Sequence, residues 1–190
     1  MAEIRCININ KAFGEEKVLT DFNAVFMKGK PTCIMGASGR GKTTLLRIMM
    51  NLLPVDSGRV EGLENSPISA VFQDDRLLPE FNAVRNVKFA APGVDVKKII
   101  RHLNHLGLEE SIQKPVLQLS GGMRRRVALV RAVLAPGDVI FLDEPLKGLD
   151  EANKVLAAEY LLSNTKGKTL IMVTHTLDEV KLMQGTLMQI

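Results

Sequence analysis

At 190 residues, 46% hydrophobic and 24% charged, the chain has the size and composition of an ordinary globular domain, long enough to bury about 70% of its unfolded surface without metal or disulfide staples. The two cysteines, Cys6 and Cys33, lie in the apolar stretches IRCINI and PTCIM and read as reduced core thiols. The net charge of +4 is scattered apart from a cluster at Arg124, Arg125 and Arg126, which reads as a solvated face; with 4% aromatics and no tryptophan there is no base-stacking platform, so nucleic acid is not an expected partner.

No apolar run approaches the ~18 residues of a membrane-spanning helix, and MAEIRCININ carries neither a signal nor a transit pattern, so a soluble chain is expected. EIRCININKAF (3–13) and VLTDFNAVF (18–26) alternate apolar and polar residues, as strands with one covered face do. PTCIM (31–35) is a short apolar strand, GKTTLLRIMMNLL (41–53) a helix after a glycine-rich turn, PVDSGRVEG (54–62) a turn and hairpin, and ISAVFQ (68–73) a buried strand. From Asp74 to Gln118 the character changes: helical stretches such as DVKKIIRHLNHLGL are broken by Pro79, Pro92, Gly93 and Pro115, which reads as a helical insertion. His102 and His105 share a face of that helix with no further ligand nearby and read as solvated.

Next come a helix after Gly121, the apolar strand VIFLD (139–143), a helix over EANKVLAAEYLLSN, the strand TLIMVT and a last helix. Strands alternating with helices imply an α/β fold with a mainly parallel sheet covered on both faces. Residues 1–190 are expected to form one domain, with an N-terminal antiparallel β portion and a helical subdomain inserted at about 74–118.

Between strand and helix, Gly36, Ala37, Ser38, Gly39, Arg40, Gly41, Lys42, Thr43 and Thr44 fit G-x-x-x-x-G-K-[ST], a P-loop. Its glycines allow close backbone approach, and successive N–H groups at a helix N-terminus cradle phosphates. Lys42 is expected to reach the β- and γ-phosphates of ATP, and the Thr43 hydroxyl to ligate Mg²⁺. Asp143 and Glu144 follow four apolar residues, at the strand end where α/β folds place ligands. Asp143 suits Mg²⁺, through water. Glu144, on the opposite side of the strand, suits a general base on water attacking the γ-phosphate, which makes the chain an ATPase rather than a kinase.

LSGGMRRR (119–126) offers a second anion cradle: Ser120, Gly121 and Gly122 open a basic helix, with no lysine in the loop. A serine N-cap explains Ser120 but not two successive glycines. In order and spacing, Gly36–Thr44, Gln73, Leu119–Met123, Asp143–Glu144, Asp150 and His175 resemble the nucleotide-binding subunit of ABC transporters, most nearly that of the nitrate, sulfonate and taurine importers.

The resemblance implies a P-loop NTPase fold and two cassettes stacked head to tail, either two copies of this chain or one with a paralogous ATPase subunit. Ser120, Gly121 and Gly122 would then hold the γ-phosphate of the partner's ATP. It further implies that Phe13 stacks on adenine, that Gln73 touches Mg²⁺ and senses a transmembrane permease subunit docked on the helical insertion, and that Asp150 lies at the dimer interface. His175 would contact the γ-phosphate and hold Glu144 and the water. An extracytoplasmic substrate-binding protein would act indirectly, and the chain would lie at the cytoplasmic face of the membrane. The sequence departs from the family pattern at Met123, where glutamine is usual, and at Lys147-Gly148, where Ser-Ala is usual. No C-terminal regulatory domain is expected after His175. A soluble cassette ATPase of nucleic-acid maintenance is the rival; a long coiled coil or zinc module between P-loop and LSGG would mark it.

Overall fold

The computed structural model describes residues 3–64 and 66–190. The chain runs β1 (Glu3–Phe13), β2 (Glu16–Met27), β3 (Pro31–Met35), α1 (Lys42–Met49), β4 (Ser57–Glu61) and β5 (Ile68–Val71). It continues through α2 (Ala83–Ala90), α3 (Val96–His105), α4 (Gly121–Leu134), β6 (Val139–Asp143), α5 (Glu151–Asn164), β7 (Thr169–Val173), α6 (Leu177–Leu182) and β8 (Thr186–Gln189). Two sheets result: an antiparallel one in the order β2-β1-β4 and a parallel one in the order β5-β6-β7-β3-β8.

The inner parallel strands β3, β6 and β7 are apolar runs because both their faces are covered. Alternate residues feed two cores. Ile34, Val139, Phe141, Ile171 and Val173 face α1 (Leu45, Leu46, Ile48) and the antiparallel sheet (Ile4, Cys6, Phe26). Cys33, Ile140, Leu142, Leu170 and Met172 face the other way, onto α4 (Val127, Val130) and α5 (Ala157, Leu161). Helix α1 is thus packed into the apolar layer between the two sheets, which fixes the glycine-rich loop before it.

The α/β reading is borne out, including the antiparallel N-terminal sheet and the helices α2 and α3 between β5 and α4. Asn86 anchors the start of that helical stretch. Its buried side chain accepts from Leu78 N–H and donates to the carbonyls of Leu78, Phe81 and Asn82 at 2.7–3.1 Å. All four bonds are local, so this polar residue stiffens the 78–82 loop at no desolvation cost.

Four expectations need correction. Residues 54–62 do not form a hairpin: β4 joins β1, with Cys6 opposite Val60 and Arg5 opposite Glu61, a pairing some fifty residues apart that local turn signals cannot reveal. After α6 the chain forms β8, parallel to β3, an edge strand of four residues too short to show a period. The arginines at 124–126 are not a solvated face. Arg124 donates to Leu119 O and Arg126 to Leu106 O, both at 2.6 Å, and the buried Arg125 donates to Phe72 O and Gln73 O and pairs with Asp75. The histidines are not simply solvated either: half-buried His102 places Nδ1 2.9 Å from the hydroxyl of fully buried Tyr160, and His105 meets the same ring edge-on.

Candidate nucleotide-binding site

The loop between β3 and α1 is built to leave its amides free. Gly41 precedes the helix at φ +82°, and a Cβ there would meet Val18 Cγ1 at 2.8 Å, so a side chain is excluded by strain and by β2. Helix α1 has no side-chain N-cap and no acidic residue in its first turn, leaving its first N–H groups to an outside acceptor. Ala37, Ser38, Gly39 and Arg40 are exposed. Lys42, only 6% exposed, folds back over the loop and donates to Gly36 O and Ala37 O, both at 2.8 Å. A buried ammonium answered only by carbonyls is a cation in want of an anion.

Strand β6 delivers Asp143 to the same helix end. The Thr43 hydroxyl donates to its carboxylate at 3.0 and 3.2 Å. Burial holds Asp143 above the usual carboxylate range; the Thr43 hydrogen bond opposes this, and the neighbouring Glu144 charge adds to it. A hydroxyl and a carboxylate are hard oxygen donors suited to Mg²⁺. Among the described residues no three His, Cys, Asp or Glu converge on a metal position, so such a cation needs phosphate and water oxygens as its other ligands. Gln73 is not brought into this pair. It lies two residues past β5 with its side chain exposed, and no hydrogen bond ties that side chain to Thr43 or Asp143.

Glu144 does not continue the strand alternation. The chain turns left-handed at φ +50°, and the Glu144 N–H donates to Val173 O, which brings it beside the residues after β7. Its Oε1 lies 2.6 Å from His175 Nε2 and its Oε2 2.6 Å from Lys147 Nζ. Burial pushes this carboxyl up, but Lys147 and then His175 outweigh burial and hold it below the usual range. It is therefore ionised at neutral pH, as a base must be. The contact with Lys147 was missed in the sequence; the i, i+3 spacing was its one signal.

The LSGG residues form a separate group. Ser120 caps α4, its Oγ accepting the Met123 N–H at 3.2 Å. Gly122 packs closely: a Cβ there would lie 3.3 Å from Leu149 Cδ2 and 3.5 Å from Gly148 O, so a methyl fits only if Leu149 gives way slightly. Gly121 does not, since its Cβ position meets nothing nearer than an Arg124 nitrogen at 4.0 Å. Asp150 caps α5 and binds Asn153 twice, at 2.8 and 2.9 Å. Phe13, 51% exposed at the end of β1, carries the Lys11 ammonium 5.7 Å from its ring centre. Among the described residues no hydrogen bond or ion pair links Ser120–Gly122 to Gly36–Thr44.

The family model described as ABC transporter matches residues 19–147. The spermidine/putrescine import ATP-binding protein PotA of Fusobacterium nucleatum is 36% identical over 93% of this chain and 52% of its own length. The lipoprotein-releasing system ATP-binding protein LolD of Bacteroides fragilis is 36% identical over 88% of each. The taurine import ATP-binding protein TauB of Pelagibacter ubique is 34% identical over 96% of this chain and 76% of its own length. The chain thus spans about half the length of the PotA relatives it matches. Among solved structures, the dimeric bacterial ABC transporter cassette MJ0796 superposes with a TM-score of 0.84 at 28% identity, covering 94% of this chain and 90% of that one. The chain belongs to the ABC transporter family, as an ATP-binding domain of that family of ATP-hydrolysing enzymes.

Proposed function

We propose that the chain is the ATP-hydrolysing subunit of a membrane importer, working in a head-to-tail pair that closes on two ATP molecules. The observation that carries this is Gly121. The fold has no use for a glycine there, yet it bares the N-terminus of α4 beside the Ser120 cap, and the LSGG segment itself contains no lysine. A phosphate brought by a second cassette, whose own Lys42 supplies the cation, fills that place. The dimeric MJ0796 structure supports the pairing.

In each site Phe13 stacks on the adenine, and the amides of Ser38–Thr44 and the Lys42 ammonium hold the phosphates. Mg²⁺ held by Thr43, Asp143 and Gln73 with phosphate and water oxygens would neutralise charge on the β- and γ-phosphates. Glu144 takes a proton from the water whose oxygen bonds to the γ-phosphorus, while the bond to the β,γ-bridging oxygen breaks and ADP departs. His175 holds Glu144 in place, and Asp150 fixes the start of α5 at the interface. Closure follows from phosphate contacts that exist only when both halves meet, and hydrolysis removes them.

The transmembrane permease subunits dock on the helical insertion. There Leu78, Phe81, Pro92 and the 79%-exposed Phe89 form an apolar cavity wall beside Arg85 and Lys88, with Gln73 at the near end of the same loop. Among the described residues no helix is long and apolar enough to cross a membrane. The chain then lies at the cytoplasmic face, and an extracytoplasmic binding protein presents cargo to the permease. Import rather than release is the direction favoured by the printed names of the PotA and TauB relatives. Nucleic acid finds little here, because the Arg124, Arg125 and Arg126 guanidinium groups are engaged on backbone carbonyls.

The test is a pull-down with tagged Glu144→Gln chain, ATP and Mg²⁺ from detergent-solubilised membranes. A multi-spanning protein should co-elute, and should be lost with Phe89→Asp while ATP binding stays. Nucleic acid or a soluble partner in its place would contradict the importer reading.

A further inference from the structure

Each oxygen of Glu144 has a close nitrogen neighbour. His175 Nε2 lies 2.6 Å from Oε1 and Lys147 Nζ 2.6 Å from Oε2, and Oε2 is shut off from solvent. The Lys147 contact is close but off the line of a hydrogen bond, an ion pair laid across the carboxylate. With the Lys147 ammonium laid across it and no surface open to solvent, Oε2 meets no water, and it cannot take a water's proton until Lys147 moves aside. His175 follows β7 closely; Lys147 is at the end of a four-carbon stem on a turn, 58% exposed, and is the partner free to go.

That turn also touches the LSGG loop. Lys147 is followed by Gly148, at φ +77°, and Leu149, and these two are what a Cβ on Gly122 would strike, at 3.5 and 3.3 Å. A single short segment therefore runs from the base of one nucleotide site to the amides that, on the reading proposed above, receive the phosphate of the other.

We infer that Lys147 is a positioning residue that holds Glu144 idle until an anion seats on Ser120–Gly122 of the same chain. The partner's γ-phosphate draws on the ammonium and shifts the Gly148–Leu149 segment, and Lys147 leaves Oε2. Glu144, still held by His175, is then open to the attacking water of its own site. Hydrolysis at one P-loop thus waits for nucleotide at the other. The pairing substitutes a competing anion for a resident one, as any differential-binding switch requires. It rests on the head-to-tail reading and on Glu144 as base.

The experiment is steady-state ATP turnover by the purified chain in Mg²⁺, comparing wild type, Lys147→Ala and Lys147→Arg, each with and without Glu144→Gln. Because Lys147 is exposed, Lys147→Ala should fold normally. Its kcat should rise about fivefold, the scale of one half-exposed ion pair, with KM for ATP unchanged and the rate rising less steeply with ATP concentration. Lys147→Arg should restore the wild-type rate and steepness. An unchanged or lower kcat in Lys147→Ala, or no turnover in either chain, would overturn the latch. Turnover surviving in Glu144→Gln would instead remove the base itself, a failure visible without reference to Lys147.

Discussion

The Thr43 hydroxyl donates to the Asp143 carboxylate at 3.0 Å, joining the first turn of α1 to the end of β6 across the parallel sheet. In the protein without a bound cation this carboxylate is buried with only a hydroxyl for company, and burial raises its pKa above the ordinary value near 3.8. A raised folded-state pKa means that the native state binds more protons than the unfolded state above pH 3.8, so stability is lost as pH rises through that window. At neutral pH the ionised Asp143 is therefore a cost to the fold. Asp143→Asn should melt at a higher temperature than wild type in EDTA, while losing Mg²⁺-dependent turnover. A lower melting temperature in EDTA would contradict this.

The two glycines of LSGG should part company in the same kind of assay. Gly121 has helical backbone and open space, so Gly121→Ala should leave the unfolding free energy unchanged or raise it by about 0.5 kcal/mol. It should nonetheless weaken ATP-dependent pairing, because the added methyl stands where a phosphate has to approach. Gly122→Ala crowds Leu149 at 3.3 Å and should be less stable than Gly121→Ala. Denaturant titrations beside sedimentation with ATP separate the two effects.

His102 and Tyr160 bind the helical insertion to α5, at 2.9 Å. Tyr160→Phe keeps the packed ring and should cost about 1 kcal/mol, and the double variant with His102→Leu should cost less than the sum of the singles. Burial lowers the His102 pKa, and Lys98, His105 and Arg101 lower it further. The unfolded chain therefore binds more protons just below pH 6.5, so stability should fall as pH drops through 6.5, with a shallower slope in His102→Leu. An equal slope in the two proteins would show that His102 does not carry it.

The cysteines offer a chemical check on the core. Burial pushes Cys6 up to about 12 and Cys33 up to about 11, where the Glu179 charge also contributes. Both thiols should resist iodoacetamide at pH 8 in the native protein and react fully once it is unfolded. Since the unfolded thiols ionise near 9, stability should also decline as pH rises above that value.

What could be read from the sequence was what is local and periodic. β3, β6 and β7 are apolar runs because a doubly covered parallel strand has no solvent side, and the P-loop, LSGG and Asp143–Glu144 are contiguous patterns set against those runs. The β1–β4 pairing was hidden because its partners lie some fifty residues apart, and β8 because four residues at an edge have little period. Arg125 and Asn86 read as ordinary polar residues; only the fold shows that Arg125 donates to the carbonyls of Phe72 and Gln73 and that Asn86 closes on the backbone of residues 78–82. Lys147 stayed hidden for a third reason. Its contact with Glu144 depends on a left-handed turn at Glu144 itself, which no propensity favours for a glutamate.

The central claim is that each nucleotide is held by the P-loop of one chain and the LSGG loop of another. Two lesions placed in different chains test it most directly. In a Glu144→Gln background, Lys42→Ala spoils the P-loop alone and Ser120→Arg spoils the signature loop alone. Each chain by itself should fail to trap ATP through gel filtration. Mixed, they should pair and trap one ATP per dimer, because the intact P-loop of one then meets the intact LSGG of the other. Wild-type trapping by the Ser120→Arg chain alone, or none in the mixture, would place the whole site within a single chain and contradict the account.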